Sequence, residues 1–126
     1  MTASHRALEL AVGAARAASS RKAEEIIALD VSERLVLTDV FLLASGTNER
    51  QVLAIVDAVE EALHAVGAKA LRREGMREGR WALLDFGELV VHVQHAEDRL
   101  YYALERLWSD CPVIHLPADV TADGAA

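Results

Sequence analysis

The sequence lacks the residues that small extracellular domains use to hold themselves together. Cys111 is the only cysteine among 126 residues, so no disulfide can form within the chain. One thiol does not build a zinc site without a cluster of histidines and carboxylates, and none is evident. Cys111 is therefore expected to be a small buried hydrophobic residue in a protein that needs no metal and no cofactor.

Long apolar runs are absent as well. No run approaches the ~20 residues that span a bilayer, and the N-terminus has no apolar core of the signal-peptide kind. The sequence therefore predicts a cytoplasmic protein with no membrane association.

Positive charge is scarce. Thirteen Lys and Arg against twenty Asp and Glu give a net charge of −7, and the sequence pI is about 5.1. Direct binding to nucleic acid needs a clustered basic surface that displaces counterions. The charge balance argues against such binding, and it permits an acidic patch that meets a basic protein.

Apolar residues are plentiful, at 52% of the chain, and they recur with the spacing of helices and strands. Helical spacing is found in residues 5–18, between the capping residue Asn48 and Gly67, and from Glu97 to Trp108. Strand patterns, in chain order, cover residues 24–31, 38–46, 68–74, 81–86 and 88–93.

This order of elements predicts a single α/β domain over residues 1–112, with a flexible tail over residues 113–126. The predicted order is α-β-β-α-β-β-β-α, a mixed β-sheet with flanking helices. Gly87 suggests a hairpin that makes part of the sheet antiparallel, and the long second helix permits one parallel crossover.

Two carboxylates, Asp85 and Glu88, interrupt the apolar stretch WALLDFGELVVHV. Two carboxylates across a turn can hold Mg²⁺. Metal-dependent nucleotidyl transfer usually needs carboxylates at alternate positions of one strand, however, and Gly87 stands where the second would be. The simpler interpretation is a hairpin turn, or a surface that recognises a partner.

The stretch SGTNERQ, residues 45–51, runs from a predicted strand into a helix and could hold a phosphate on its backbone amides. It carries neither the GxGxxG pattern nor a P-loop lysine, which favours an ordinary capped turn. His92 and His95 are three residues apart in a strand, so they do not share a face.

Charge is segregated along the second half of the chain. Residues 69–80 carry five basic and two acidic side chains, whereas residues 85–110 carry six acidic and two basic ones. This predicts an acidic docking face beside a basic edge. Trp81 and Tyr102 are the aromatic candidates for an interface, while Tyr101 and Trp108 are expected in the core.

The stretch EGMREGRWALLDFGELVVHVQHAEDRLYYALERLWSDCP, residues 74–112, resembles the ribosomal silencing factor family, also called the Iojap-like family. TDVFLLASGTNERQVLAIVDAV, residues 38–59, and KAEEIIALDVSE, residues 22–33, are similar to its upstream part. The resemblance covers residues 5–112. Asn48, Glu49 and Gln94 depart from the family pattern, and Glu88 is the longer of the two acids found at its position.

The resemblance implies a nucleotidyltransferase-like fold without catalytic residues. It implies binding to the fourteenth protein of the large ribosomal subunit, on the face that meets the small subunit, which blocks subunit joining and lowers translation under nutrient limitation. It also implies a homodimer. The residues expected to bind the ribosomal protein are Trp81, Leu83, Asp85, Glu88, His92, Tyr102, Glu105 and Arg106.

Two other functions remain open at this point. A nucleotide- or phosphate-ligand-binding protein of the same fold would show Mg²⁺-dependent nucleotide binding that is lost in Asp85→Asn. A structural dimerisation module would not co-purify with ribosomal components.

Overall fold

A computed structural model describes residues 2–75, 79–98 and 110–120. Two helices and six strands follow one another along this part of the chain. In chain order they are α1 (His5–Ser20), β1 (Glu24–Asp30), β2 (Val40–Gly46), α2 (Glu49–Ala65), β3 (Arg72–Glu74), β4 (Trp81–Asp85), β5 (Leu89–His95) and β6 (Val113–Ile114).

The strands form one mixed sheet in the order β3-β4-β5-β2-β1-β6. β2 and β5 are parallel at its centre, whereas the other neighbours are antiparallel. The predicted mixed sheet is therefore confirmed, with the β4–β5 hairpin supplying an antiparallel pair and α2 lying within the crossover from β2 to β5.

Both helices pack on the same face of the sheet and against each other. α1 buries a stripe of alanines, and the smallness of these side chains lets the helix lie close to its neighbours. α2 adds Val52, Ile55, Val59 and Leu63, all buried in the main core. The opposite side of the sheet is called here the outer face.

The ends of α2 follow the sequence prediction. Asn48 caps the helix, since its side chain accepts a hydrogen bond from Gln51 N at 2.8 Å. The Gln51 side chain reaches one residue further back than in a capping box, to Thr47 N. At the other end, Gly67 N donates to His64 O and Ala68 N to Leu63 O, which satisfies the last carbonyls.

Some elements differ from the prediction. β3 spans only Arg72–Glu74 rather than residues 68–74, because only these residues pair with β4. Where the sequence predicts a tail from residue 113, β6 pairs with β1, and Val120 is buried in the main core. The helix predicted from Glu97 lies mostly outside the described residues; residues 96–98 are helical.

Cys111 is buried, as predicted. None of the helices in the described ranges has the length and apolarity that crossing a bilayer requires.

Candidate docking surface

Trp81, Leu83 and Asp85 lie on the outer face, because side chains alternate along β4. The intervening residues, Ala82 and Leu84, are fully buried under the helices. Trp81 remains 42% exposed, and Leu83 and Asp85 are half-buried. The strand therefore presents an aromatic, an aliphatic and an acidic side chain in one row, as the sequence predicts.

His92 continues this surface on β5. It pairs across the sheet with Leu83 on one side and with Leu43 on the other. Its ring centroid lies 6.4 Å from that of Phe41. Burial lowers the pKa of His92 below its ordinary value. His92 is therefore neutral near pH 7 and adds hydrogen-bonding capacity to the surface without adding charge.

The backbone beneath the Trp81 indole leaves room only for glycine. A Cβ atom at Gly75 would lie 2.5 Å from Trp81 Cε3, a distance that real Cβ atoms do not reach. Arg80, which immediately precedes β4, holds Asp98 with two hydrogen bonds, of 2.9 and 3.1 Å. Trp81 therefore packs closely on the backbone at Gly75 and begins a strand whose first end is tied to residues 96–98.

Gln94 is the cross-strand neighbour of Trp81. Its side chain is buried, and its Oε1 atom has no hydrogen-bond partner among the described residues. Sequence reasoning marked Gln94 as a departure from the family pattern. The structure adds that this departure places a buried oxygen, without a partner among the described residues, beside the exposed tryptophan.

Asp85 and Glu88 do not form a pair. Asp85 Oδ1 accepts a hydrogen bond from Gly87 N at 2.8 Å and so shapes the hairpin turn. Glu88 Oε1 accepts one from Ser4 Oγ at 2.9 Å, which turns this carboxylate toward the start of α1. Within the described ranges, no group of three or more His, Cys, Asp or Glu side chains is arranged to hold a metal ion.

Ser4 is a residue that sequence reasoning missed. Its hydroxyl accepts a hydrogen bond from Ala7 N and so caps α1, while its own backbone N–H donates to Asp39 Oδ2 at 2.8 Å. Ala3 N donates to Asp30 Oδ2 at 2.9 Å. Ser4 stands immediately before the predicted helix, so its capping role was readable from the sequence, whereas its distant carboxylate partners were not.

The turn of residues 45–51 uses its own side chains to satisfy its amides. Gln51 Oε1 accepts from Thr47 N and from Thr47 Oγ1, and the Asn48 side chain accepts from Gln51 N. The Gln51 amide also donates to the carbonyls of Arg21 and Lys22. The turn is therefore a capped connection, which agrees with the simpler interpretation of its sequence.

The basic segment is less of a free positive edge than its composition suggests. Arg73 pairs with Glu60 at 2.9 Å, Arg72 lies 3.7 Å from Asp85, and Arg80 holds Asp98. Each of these three guanidinium groups therefore has a carboxylate beside it. Tyr102, Glu105 and Arg106, predicted to contact the partner, lie outside the described residues, as do Tyr101 and Trp108.

Known proteins are similar to this chain in both sequence and fold. The family model described as "Ribosomal silencing factor during starvation" matches residues 4–126. The ribosomal silencing factor RsfS of Bacillus subtilis is 40% identical over 103 residues, which cover 82% of this chain and 87% of the relative. RsfS of Halalkalibacterium halodurans is 39% identical over 109 residues, covering 86% and 91%. A crystal structure of a Chromobacterium violaceum protein superposes with a TM-score of 0.79 at 35% identity, covering 81% of this chain and 85% of that one.

Proposed function

The chain belongs to the ribosomal silencing factor family, and from this membership we propose that it binds the large ribosomal subunit and represses translation by keeping the small subunit from joining. The match of the family model to residues 4–126 is the observation that carries the proposal. Such a factor acts where ribosomes are, so the proposal places it in the cytoplasm.

The proposed partner is the fourteenth protein of the large subunit, as the sequence resemblance implies. The surface that we assign to it is centred on Trp81, Leu83 and His92 of the outer face, with Asp85 at its edge. A half-exposed tryptophan on the same face as a half-buried neutral histidine has the character of an interface anchor, because its burial removes apolar area from water without leaving a charge unpaired. Glu88, Tyr102, Glu105 and Arg106 remain part of this proposal.

The mechanism requires occupation of space and no chemical step. Asp85 and Glu88 are each engaged in holding the fold, with the hairpin turn and with Ser4 respectively. This supports a regulatory role over the nucleotidyltransferase-like alternative, which needs carboxylates aimed together at one ion. The homodimer implied by the resemblance also remains a proposal, which equilibrium sedimentation of the free protein measures.

Replacement of Trp81 tests the surface. Trp81→Ala is expected to weaken co-sedimentation with purified large subunits by roughly tenfold or more, because truncating an interface tryptophan commonly removes over 1 kcal/mol of binding. Trp81→Phe keeps an aromatic ring in the same place and should retain most of the binding. Thermal unfolding of each variant verifies that the fold persists.

The two possible negative results have different meanings. If the wild-type chain fails to co-sediment with large subunits, the proposed function is wrong. If the wild type binds and Trp81→Ala binds equally well, the function stands and the docking surface lies elsewhere.

A further inference from the structure

The connection between β1 and β2 carries two adjacent apolar side chains in water. Val36 is 96% exposed and Leu37 is 84% exposed, the highest values among the large apolar residues that the structure describes. Single exposed apolar residues are ordinary on protein surfaces. Two neighbours at the tip of a loop, both almost fully solvated, form a small apolar projection of the kind that marks an interaction site.

The loop holds this projection in place. Arg34 N and Leu35 N both donate to Val31 O at 2.9 Å, which closes a turn just before the tip. The Leu35 side chain packs on the second core cluster with Leu29 and Leu43. After the tip, Asp39 N donates to Glu88 O at 2.8 Å. Both sides of the tip are therefore anchored, so binding through it requires little ordering of the backbone.

The surroundings of the tip are acidic. β1 ends where β2 and β5 begin, because β1 and β2 are antiparallel and β2 and β5 are parallel. This end of the sheet collects carboxylates from four segments of the chain, and Arg34, in the loop itself, is already paired with one of them at 2.6 Å. The carboxylates are Asp30, Glu33, Asp39, Glu88 and Asp110.

We propose that Val36 and Leu37 insert into an apolar recess of a basic protein on the large ribosomal subunit, as a second contact separate from the Trp81 surface. This inference rests on the proposed function and adds a site to it. The apolar tip supplies burial, and the net negative charge at this end of the sheet supplies attraction to lysine and arginine side chains on the partner. Asp30, Asp39 and Glu88 keep this charge while they accept hydrogen bonds from the start of α1.

The same charges disfavour the other occupants. RNA phosphates and anionic lipid headgroups are repelled by the carboxylates. A second copy of this chain docked loop to loop would bring one acidic end against another, because a two-fold interface pairs each surface with itself. A basic protein is the partner whose charge matches the rim of this projection.

The test is a binding titration of Val36→Ser/Leu37→Ser against purified large subunits. We expect affinity to fall by roughly tenfold, as when an interface anchor is removed. The melting temperature should stay near that of the wild type, because both side chains are already in water. Val36→Ile/Leu37→Met keeps the tip apolar and should bind like the wild type. The matched control is Leu53→Gln on α2, another exposed apolar residue, which should leave binding unchanged.

Each outcome gives a decision. Failure of the wild type itself to bind overturns the proposed function and this inference with it. Wild-type binding that the double serine variant reproduces overturns this inference alone. This inference is also overturned if the double serine variant loses self-association in equilibrium sedimentation while keeping subunit binding. It is likewise overturned if that variant loses binding to naked large-subunit RNA as strongly as binding to the intact subunit.

Discussion

At the scale of single residues, Gly13 and Gly67 are expected to respond to substitution in opposite directions. Gly67 follows α2 with a φ of +86°, where a side chain is strained even though nothing lies within 4 Å. Gly13 lies inside α1, and a Cβ atom there would meet Leu63 Cδ2 at 3.7 Å, an ordinary contact. Position 67 requires glycine for its backbone conformation, whereas position 13 has room for a methyl group.

Gly67→Ala is therefore predicted to lower the free energy of unfolding by about 1 kcal/mol. Gly13→Ala is predicted to raise it by a similar amount, because alanine is the better helix former. Urea denaturation followed by circular dichroism measures both, and the two variants act as controls for each other. A stabilised Gly67→Ala would show that the helix ends without the left-handed residue described above.

The site residues differ in how far the sequence could place them. Trp81, Leu83 and Asp85 were predictable as one row, because strand alternation is a local property of β4. The separate roles of Asp85 and Glu88 were not, since Glu88 bonds Ser4, 84 positions away in the sequence. Contacts between distant segments depend on the packing of whole elements, which a local pattern does not contain. For the same reason nothing in the stretch ERLVLTD indicated that Val36 and Leu37 point into water.

At the scale of elements, the start of α1 is held by three strand ends. Asp30, Asp39 and Glu88 accept hydrogen bonds from Ala3 N, Ser4 N and Ser4 Oγ respectively. These acceptors complement the positive end of the helix dipole. The arrangement fixes α1 on the sheet by its first turn as well as by its alanine stripe.

This arrangement gives a prediction for acid unfolding. Burial alone would raise the pKa of Asp30, but hydrogen bonds from Ser32 and from Ala3 N outweigh it and lower that pKa below 3.8. As pH falls, the unfolded chain is protonated at Asp30 before the folded chain. The stabilisation is therefore present above the ordinary pKa and is lost as pH falls through the lowered one.

Asp30→Asn should accordingly lower the melting temperature by a few degrees at neutral pH. The difference in melting temperature between this variant and the wild type, called here the gap, should narrow below about pH 4. Calorimetry between neutral and strongly acidic pH measures this gap. Asp57→Asn, at an exposed site on α2, is the control for the loss of one negative charge. A gap for Asp30→Asn that stays constant down to pH 2 would contradict the role assigned to this carboxylate.

The elements themselves were predictable in proportion to their length. α1, α2 and the central strands carry enough periodic residues to be recognised from the sequence. β3 and β6 contain three and two residues, too few to show a period of two. β6 exists because Val113 and Ile114 meet β1 in the folded chain. Short edge strands of this kind are products of tertiary contact, and they also leave little free edge for unwanted pairing.

At the scale of the whole molecule, the net charge is −7, and five of the twenty acidic residues lie at one end of the sheet. The strand ends place carboxylates around the Val36–Leu37 projection, while arginines in the β3–β4 region are paired with acids. A protein with this distribution is drawn toward a basic partner over a range set by the Debye length.

Binding to the large subunit is therefore predicted to weaken as salt rises from about 0.05 to 0.5 M, mainly through a slower association rate. Stopped-flow or surface-based kinetics at several salt concentrations measures this. Dissociation should vary less, because the apolar contacts proposed for Trp81 and Leu37 are not screened by ions. An association rate that is independent of salt would argue against an electrostatic approach to a basic protein.

The Ser4–Glu88 hydrogen bond also has a consequence for how the chain is made. A protein is synthesised from its N-terminus, so Ser4 emerges while Glu88, 84 residues later, has not yet been added. A nascent α1 of sixteen residues has only marginal stability by itself. Asp30 and Asp39 are added earlier and can hold its first turn, but the contact with Glu88 waits for the β4–β5 hairpin. The first helix of this domain is thus translated early, and its last hydrogen bond to the sheet forms late.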